Sequence, residues 1–185
     1  MLTLKRAYSL FFAMLLCAGL FTGQPAFAAS KRVIDIEVGE ALERFYKEVG
    51  GAKKFASIAE GMLVFPSVFK AGFGIGGEYG EGALLIKGKT VDYYSTAAAS
   101  IGFQLGAQSK TVIIVFTSKS ALEKFRHSDG WEAGVDGSVA LVDLGAGGTI
   151  DTSTIKDPIV AFVFGNKGLM YNLTLEGSKY SKLNK

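Results

Sequence analysis

The chain has 185 residues, and the first 28 read as a removable export signal, which leaves roughly 157, the size of one ordinary domain. Twenty basic against 17 acidic residues give a formal charge of +3, but Lys5 and Arg6 lie in the leader, so the remainder carries about +1. That near-neutral balance argues against nucleic acid as a partner, and the rarity of proline and the high apolar content argue against disorder or a collagen-like repeat.

Lys5 and Arg6 form a short positive region, and the uncharged stretch Leu10 to Phe21 is too short to cross a bilayer comfortably. Ala26-Phe27-Ala28 supplies the small-x-small pattern of a signal-peptidase site. Residues 1–28 are therefore expected to be a signal peptide and 29–185 one exported domain, periplasmic or secreted, with no transmembrane span after cleavage; an uncleaved N-terminal anchor is the alternative. Cys17 follows Leu16, where a lipoprotein box needs a small residue. Beyond the leader no cysteine remains, so neither disulfides nor thiolate chemistry is available to residues 29–185.

In the first part of the domain, Val38, Ala41, Leu42, Phe45 and Val49 recur at helical spacing. Gly50-Gly51 ends this amphipathic helix, and a shorter helical turn with Phe55, Ile58 and Ala59 inward should follow. The period then changes to two. Met62 to Phe65, Phe73 to Tyr79, Ala83 to Lys87, Thr90 to Tyr94, Ile101 to Ala107 and Thr111 to Phe116 read as successive strands, with a tight turn at Gly88-Lys89.

Ser120 and Glu123 have capping-box spacing for a short internal helix carrying Ala121, Leu122 and Phe125. Its first residue could lie two positions earlier. Val135 to Val142, Ile159 to Phe164 and Leu169 to Leu175 complete the strands, the last two joined by a turn at Gly165 to Gly168. The expected class is α+β, mainly β: a strongly curved antiparallel sheet, sandwich or partly closed barrel, with an N-terminal amphipathic helix and one short internal helix. About 14% glycine, roughly twice the usual share, suits a sheet that coils sharply and lets other backbone approach closely.

Several constellations could carry chemistry. Gly72-x-Gly74-x-x-Gly77 formally fits a dinucleotide fingerprint, but the residues after it continue extended instead of opening a helix, so strand curvature is the reading and no cofactor is expected. His127 is the only histidine; with Ser128, or with Ser100 in a degenerate nucleophile elbow, it could be drawn as a hydrolase, whereas at a helix C-terminus it would meet the negative end of the dipole. His127, Asp129, Glu132 and Asp136 crowd one window but match neither zinc nor calcium spacing, so no metal is expected. Asn172-Leu173-Thr174 is a glycosylation sequon in a predicted strand.

Basic residues beside aromatic ones remain: Lys53, Lys54, Phe69, Lys70 and Phe73. A ring can enter the interfacial zone of a bilayer while the ammonium meets lipid phosphate. Core phenylalanines and solvated lysines are the competing reading. Lys179, Lys182 and Lys185 are either a phosphate-seeking tail or a soluble end.

Ile58-Ala-Glu-Gly-Met-Leu-Val-Phe-Pro66 and Phe69-Lys-Ala-Gly-Phe-Gly-Ile-Gly-Gly77 resemble the opening of a SYLF domain. Ser100 to Ala107, Val112 to Phe116, Ser120 to Phe125 and Gly168 to Gly177 are similar to its later strands and helix, so the resemblance spans about residues 41–178. It implies a non-enzymatic module that binds membrane phospholipid, with phosphoinositide and actin-filament binding among eukaryotic members; an envelope protein is a second kind of partner. Members of that kind use a basic N-terminal segment, whereas residues 35–48 here are net −3, which moves the expected lipid contact to Lys53, Lys54 and Lys70 with Phe69 and Phe73.

Overall fold

The computed structural model describes residues 29–143, 156–168 and 175–185. The leader, with Cys17, and the sequon at Asn172 lie outside them. Helix α1 (Lys31–Glu48) begins at Ser30, whose hydroxyl accepts from Val33 N, and buries Ile34, Val38, Ala41 and Phe45. These sit one helical turn apart, so a single stripe meets the sheet. Helix α2 (Ala52–Ser57) buries Ala52 and Phe55, while Ile58, expected inward, is exposed because the helix ends before it.

The six strands expected between Met62 and Phe116 are two very long ones, β1 (Gly61–Ile86) and β2 (Lys89–Phe116), paired antiparallel along their whole length. The residues that read as breaks are bulges. Register shifts fall between Phe65 and Val68, Phe73 and Ile75, and Leu84 and Leu85. Pro66 sits in the first, where its missing N–H costs no ladder bond, and its carbonyl accepts from Thr111 Oγ1 at 2.9 Å. Lys87 and Gly88, both at positive φ, make the turn one residue earlier than expected.

Helix α3 (Lys119–His127) follows; its N-cap is Ser118, without a side-chain capping bond, so the capping box at Ser120 does not form. Strands β3 (Trp131–Glu132), β4 (Ala140–Asp143), β5 (Ile159–Gly168) and β6 (Lys179–Leu183) complete the sheet. The spatial order is β3-β6-β2-β5-β4, with β1 on the other edge of β2. Pairing is antiparallel except between β4 and β5, which run parallel, so the sheet is mixed where an antiparallel one was expected. Residues Gly165 to Gly168 form no turn: β5 runs on through them, bulging opposite Lys110, and pairs Lys167 with Ser109.

The result is a curled half-barrel, and glycine explains the curl. A Cβ on Gly72 would lie 2.6 Å from Gly76 Cα, so β1 doubles back around Phe73 to Ile75. A Cβ on Gly82 would lie 2.1 Å from the Val64 carbonyl oxygen, so the second half of β1 crosses directly against its own first half. Inside the curl lie Leu63, Phe65, Val68, Leu84, Ile114 and Phe116, closed by Phe125 of α3, Trp131 and Tyr180. Outside it, α1 and α2 cover Val64, Ile113, Val115, Phe162 and Phe164. Phe45 and Phe55 both meet the Phe162 ring, at 5.3 and 5.0 Å between centroids. Each such burial contributes about 1.5–3 kcal/mol.

Candidate functional site

Strand alternation divides the residues expected at a lipid surface. Phe69 and Phe73 point to the outer face, beyond the reach of α1, and are 54% and 80% exposed. Ile75 at 73% and Tyr79 at 52% continue the same face, so four large apolar side chains stand in water around the reversal of β1. Across the pairing Phe69 meets Ser109, Phe73 meets Leu105, Ile75 meets Ile101 and Tyr79 meets Ala97, none of them charged. This is a continuous apolar ridge, not a scatter of single residues.

Lys70 belongs elsewhere. One residue along from Phe69, it turns inward and is 4% exposed, opposite Gln108. Lys53 and Lys54 are exposed on α2, which packs where Met62 and Phe162 lie, and β1 runs eleven residues from there to Phe73, about 36 Å of extended strand. The five residues therefore occupy three places: Lys53 with Lys54 on α2, Phe69 with Phe73 on the outer face of β1, and Lys70 alone inside the curl.

A cation does flank the ridge. Phe69, Ser109 and Lys167 stand in a row across β1, β2 and β5, and the Lys167 side chain is exposed. Sequence reasoning missed Lys167 because its glycine-rich neighbours read as a turn. It borders a cleft of about 420 Å³ between α1 and the sheet, lined also by Glu37, Glu40, Arg44, Ser67 and Ser109. Arg44 is anchored there, donating to Thr111 Oγ1 at 3.0 Å and lying over the Phe164 ring. The Ser67 and Ser109 hydroxyls are 2.9 Å apart.

The opposite end of the ridge is tied down. Glu81 accepts from Ala29 N at 3.1 Å, Tyr79 Oη at 2.8 Å and Lys185 Nζ at 2.8 Å, and Lys185 also donates to the Ala29 carbonyl. Burial alone would raise the Glu81 pKa, but these donors outweigh it and hold the carboxyl below its ordinary value of 4.5. Burial, then the bond to Glu81, pushes the Tyr79 phenol up to about 12. Lys182 pairs with Asp92 at 2.6 Å, so the C-terminal lysines belong to a bound strand instead of a loose tail.

Inside the curl the polar groups are of another kind. Lys110 Nζ meets Glu78 Oε2 at 3.0 Å with both side chains shielded. The Tyr180 hydroxyl lies beside those of Thr96 and Ser178 but outside hydrogen-bonding geometry with either, and burial, then the Glu78 charge, raises its pKa.

The remaining sequence candidates do not assemble. His127 Nδ1 lies 2.8 Å from the Glu123 carbonyl oxygen at the end of α3, and Ser128 Oγ donates to Phe125 O, so the two form no nucleophile and base pair. Asp136 accepts from Glu132 N at 2.7 Å, and no group of three metal-type ligands converges among the described residues. Among those residues no helix is long and apolar enough to cross a membrane.

One family model matches the chain. Residues 97–185 match the Ysc84 family model, described as Las17-binding protein actin regulator. This is the SYLF family of the sequence resemblance. The match runs from within β2 to the end of the chain, so it contains Gln108, Lys110, Lys167 and Lys185, while α1 and β1, with Lys70, Glu78 and Glu81, precede it. No curated protein matches the chain.

Proposed function

We propose that the protein binds membrane surfaces through the apolar ridge of β1, with Lys167 at its flank, and that it acts as an exported module of the cell envelope. The ridge carries this reading: Phe69, Phe73, Ile75 and Tyr79 are all at least half exposed within eleven residues of one strand, and Phe73, at 80%, is the most exposed large apolar side chain among the described residues. Aromatic and aliphatic groups beside one cation suit the interfacial zone of a bilayer. Seating Phe73 and Ile75 fully in that zone is worth up to about 1.5–3 kcal/mol each, against about 1 kcal/mol for Lys167 on an anionic surface. Insertion therefore outweighs charge, and the acidic α1 need not be repelled decisively. The leader at residues 1–28 supports the envelope location.

Vesicle flotation tests the reading. The protein should float with phosphatidylcholine vesicles, more strongly when phosphatidylglycerol is added, and a Phe73→Ser/Ile75→Ser variant in the same form should not. Any contribution of residues 1–28 is common to both proteins. Equal flotation of the two, or none with either composition, removes the ridge from the account.

The family description favours a second reading, in which the same ridge docks a protein partner such as an actin filament. Co-sedimentation with filaments, lost in the same double variant and unaccompanied by vesicle binding, would decide for it.

A further inference from the structure

Three charged side chains are buried among the described residues: Lys70, Glu78 and Lys110. All three face the inside of the curl. Lys110 and Glu78 neutralise each other, which leaves the Lys70 ammonium with no counterion. Directly opposite Lys70 on β2 is Gln108, 2% exposed, and neither its amide nitrogen nor its amide oxygen has a hydrogen-bond partner. Residues facing each other in this way have Cβ atoms about 5 Å apart. Lys110 is the next residue of β2 on the same face.

Buried charges are ordinarily paired, and a buried amide with both ends open is rare. Here the two irregularities are neighbours across the strand pair and complementary: Lys70 brings a positive charge, and Gln108 an open N–H donor and an open carbonyl acceptor. A second carboxylate in the chain would have satisfied the first but not the last. We infer that the inner face of the half-barrel binds an oxyanion that also carries a hydroxyl, its charged oxygens on Lys70 Nζ and the Gln108 amide N–H, its O–H donated to the Gln108 amide oxygen. Inorganic phosphate has both features at neutral pH, and so does a phosphoglycerol lipid headgroup. Sulfate has the charge but no O–H.

The site stands apart from the membrane reading, because the ridge and Lys70 lie on opposite faces of β1. Calorimetric titration of the protein with inorganic phosphate, with sulfate, and with monomeric dihexanoyl phosphatidylglycerol separates the sources. Saturation at one equivalent by phosphate identifies a free ion; saturation by the lipid alone identifies a headgroup. In either case sulfate should bind at least tenfold more weakly, Lys70→Met and Gln108→Leu should each weaken binding at least tenfold, and Lys70→Arg should retain it. Failure of both phosphate and lipid to saturate, or unchanged binding by Lys70→Met, overturns the assignment.

Discussion

Lys110 and Glu78 join across the inside of the curl, 3.0 Å apart, although β1 and β2 place Lys110 opposite Val68 and Glu78 opposite Ala98. The bond therefore fastens one half of the hairpin to the other, not one strand to its neighbour. Removing one partner strands a buried charge, so Glu78→Gln should lower unfolding free energy by about 3–5 kcal/mol. The double change Glu78→Leu/Lys110→Met should recover most of that loss. Urea unfolding of the three proteins checks both, and equal losses in single and double variants would refute the bond across the curl.

Gly82 and Gly77 should respond oppositely to alanine. A Cβ at Gly82 meets the Val64 carbonyl at 2.1 Å, which should cost at least the 1–3 kcal/mol typical of overpacking. Gly77 has nothing within 4 Å of the same atom, and alanine there should be neutral or stabilise by about 0.4–1 kcal/mol. Thermal unfolding distinguishes them. A large loss at Gly77 would show that the glycine-spaced motif has a role other than curvature.

Vesicle binding should depend on Lys167 and not on Lys53. Lys167→Glu exchanges about 1 kcal/mol of attraction for a similar repulsion on anionic vesicles, roughly a thirtyfold loss. Lys53→Glu lies at the other end of β1 and should change little. Raising the salt concentration should shrink the Lys167 effect. Equal effects at the two positions would argue against a ridge-centred contact.

Acid should loosen the junction of Ala29, Glu81 and Lys185. The folded-state pKa of Glu81 is below 4.5, so its ionised form contributes stability that is fully present above 4.5 and disappears as pH falls through the lower, folded value. Glu81→Gln should therefore destabilise the protein at neutral pH and flatten its stability profile below pH 4.5. Melting temperatures across that range give the answer; parallel profiles for parent and variant would exclude the linkage.

The helices and most strand positions were legible because their apolar period survives in the fold: the stripe of Val38, Ala41 and Phe45 lies against the sheet as its spacing implies. Continuity was not legible. Pro66, Gly72 and Gly82 look like stops, yet bulges and close backbone packing absorb them within one strand. The same misreading set Phe69 and Lys70 side by side as a lipid-binding pair. Adjacent residues in a strand face opposite ways, so an aromatic ring and an ammonium group one position apart cannot serve one surface. Lys167 could not be found from the sequence, because its place beside Phe69 depends on two strand pairings and a bulge near Gly165.

The C-terminal strand has a consequence for synthesis. Ser95 and Ser181 are paired although 86 residues separate them, and Tyr93 to Ala97 have no other neighbour on that edge. A growing polypeptide carries this stretch with its amides unsatisfied until β6 arrives. Long-range closure of this kind is slow, so the nascent molecule passes through an interval in which it can recruit a foreign strand, and a chaperone that shields Tyr93 to Ala97 would shorten the risk.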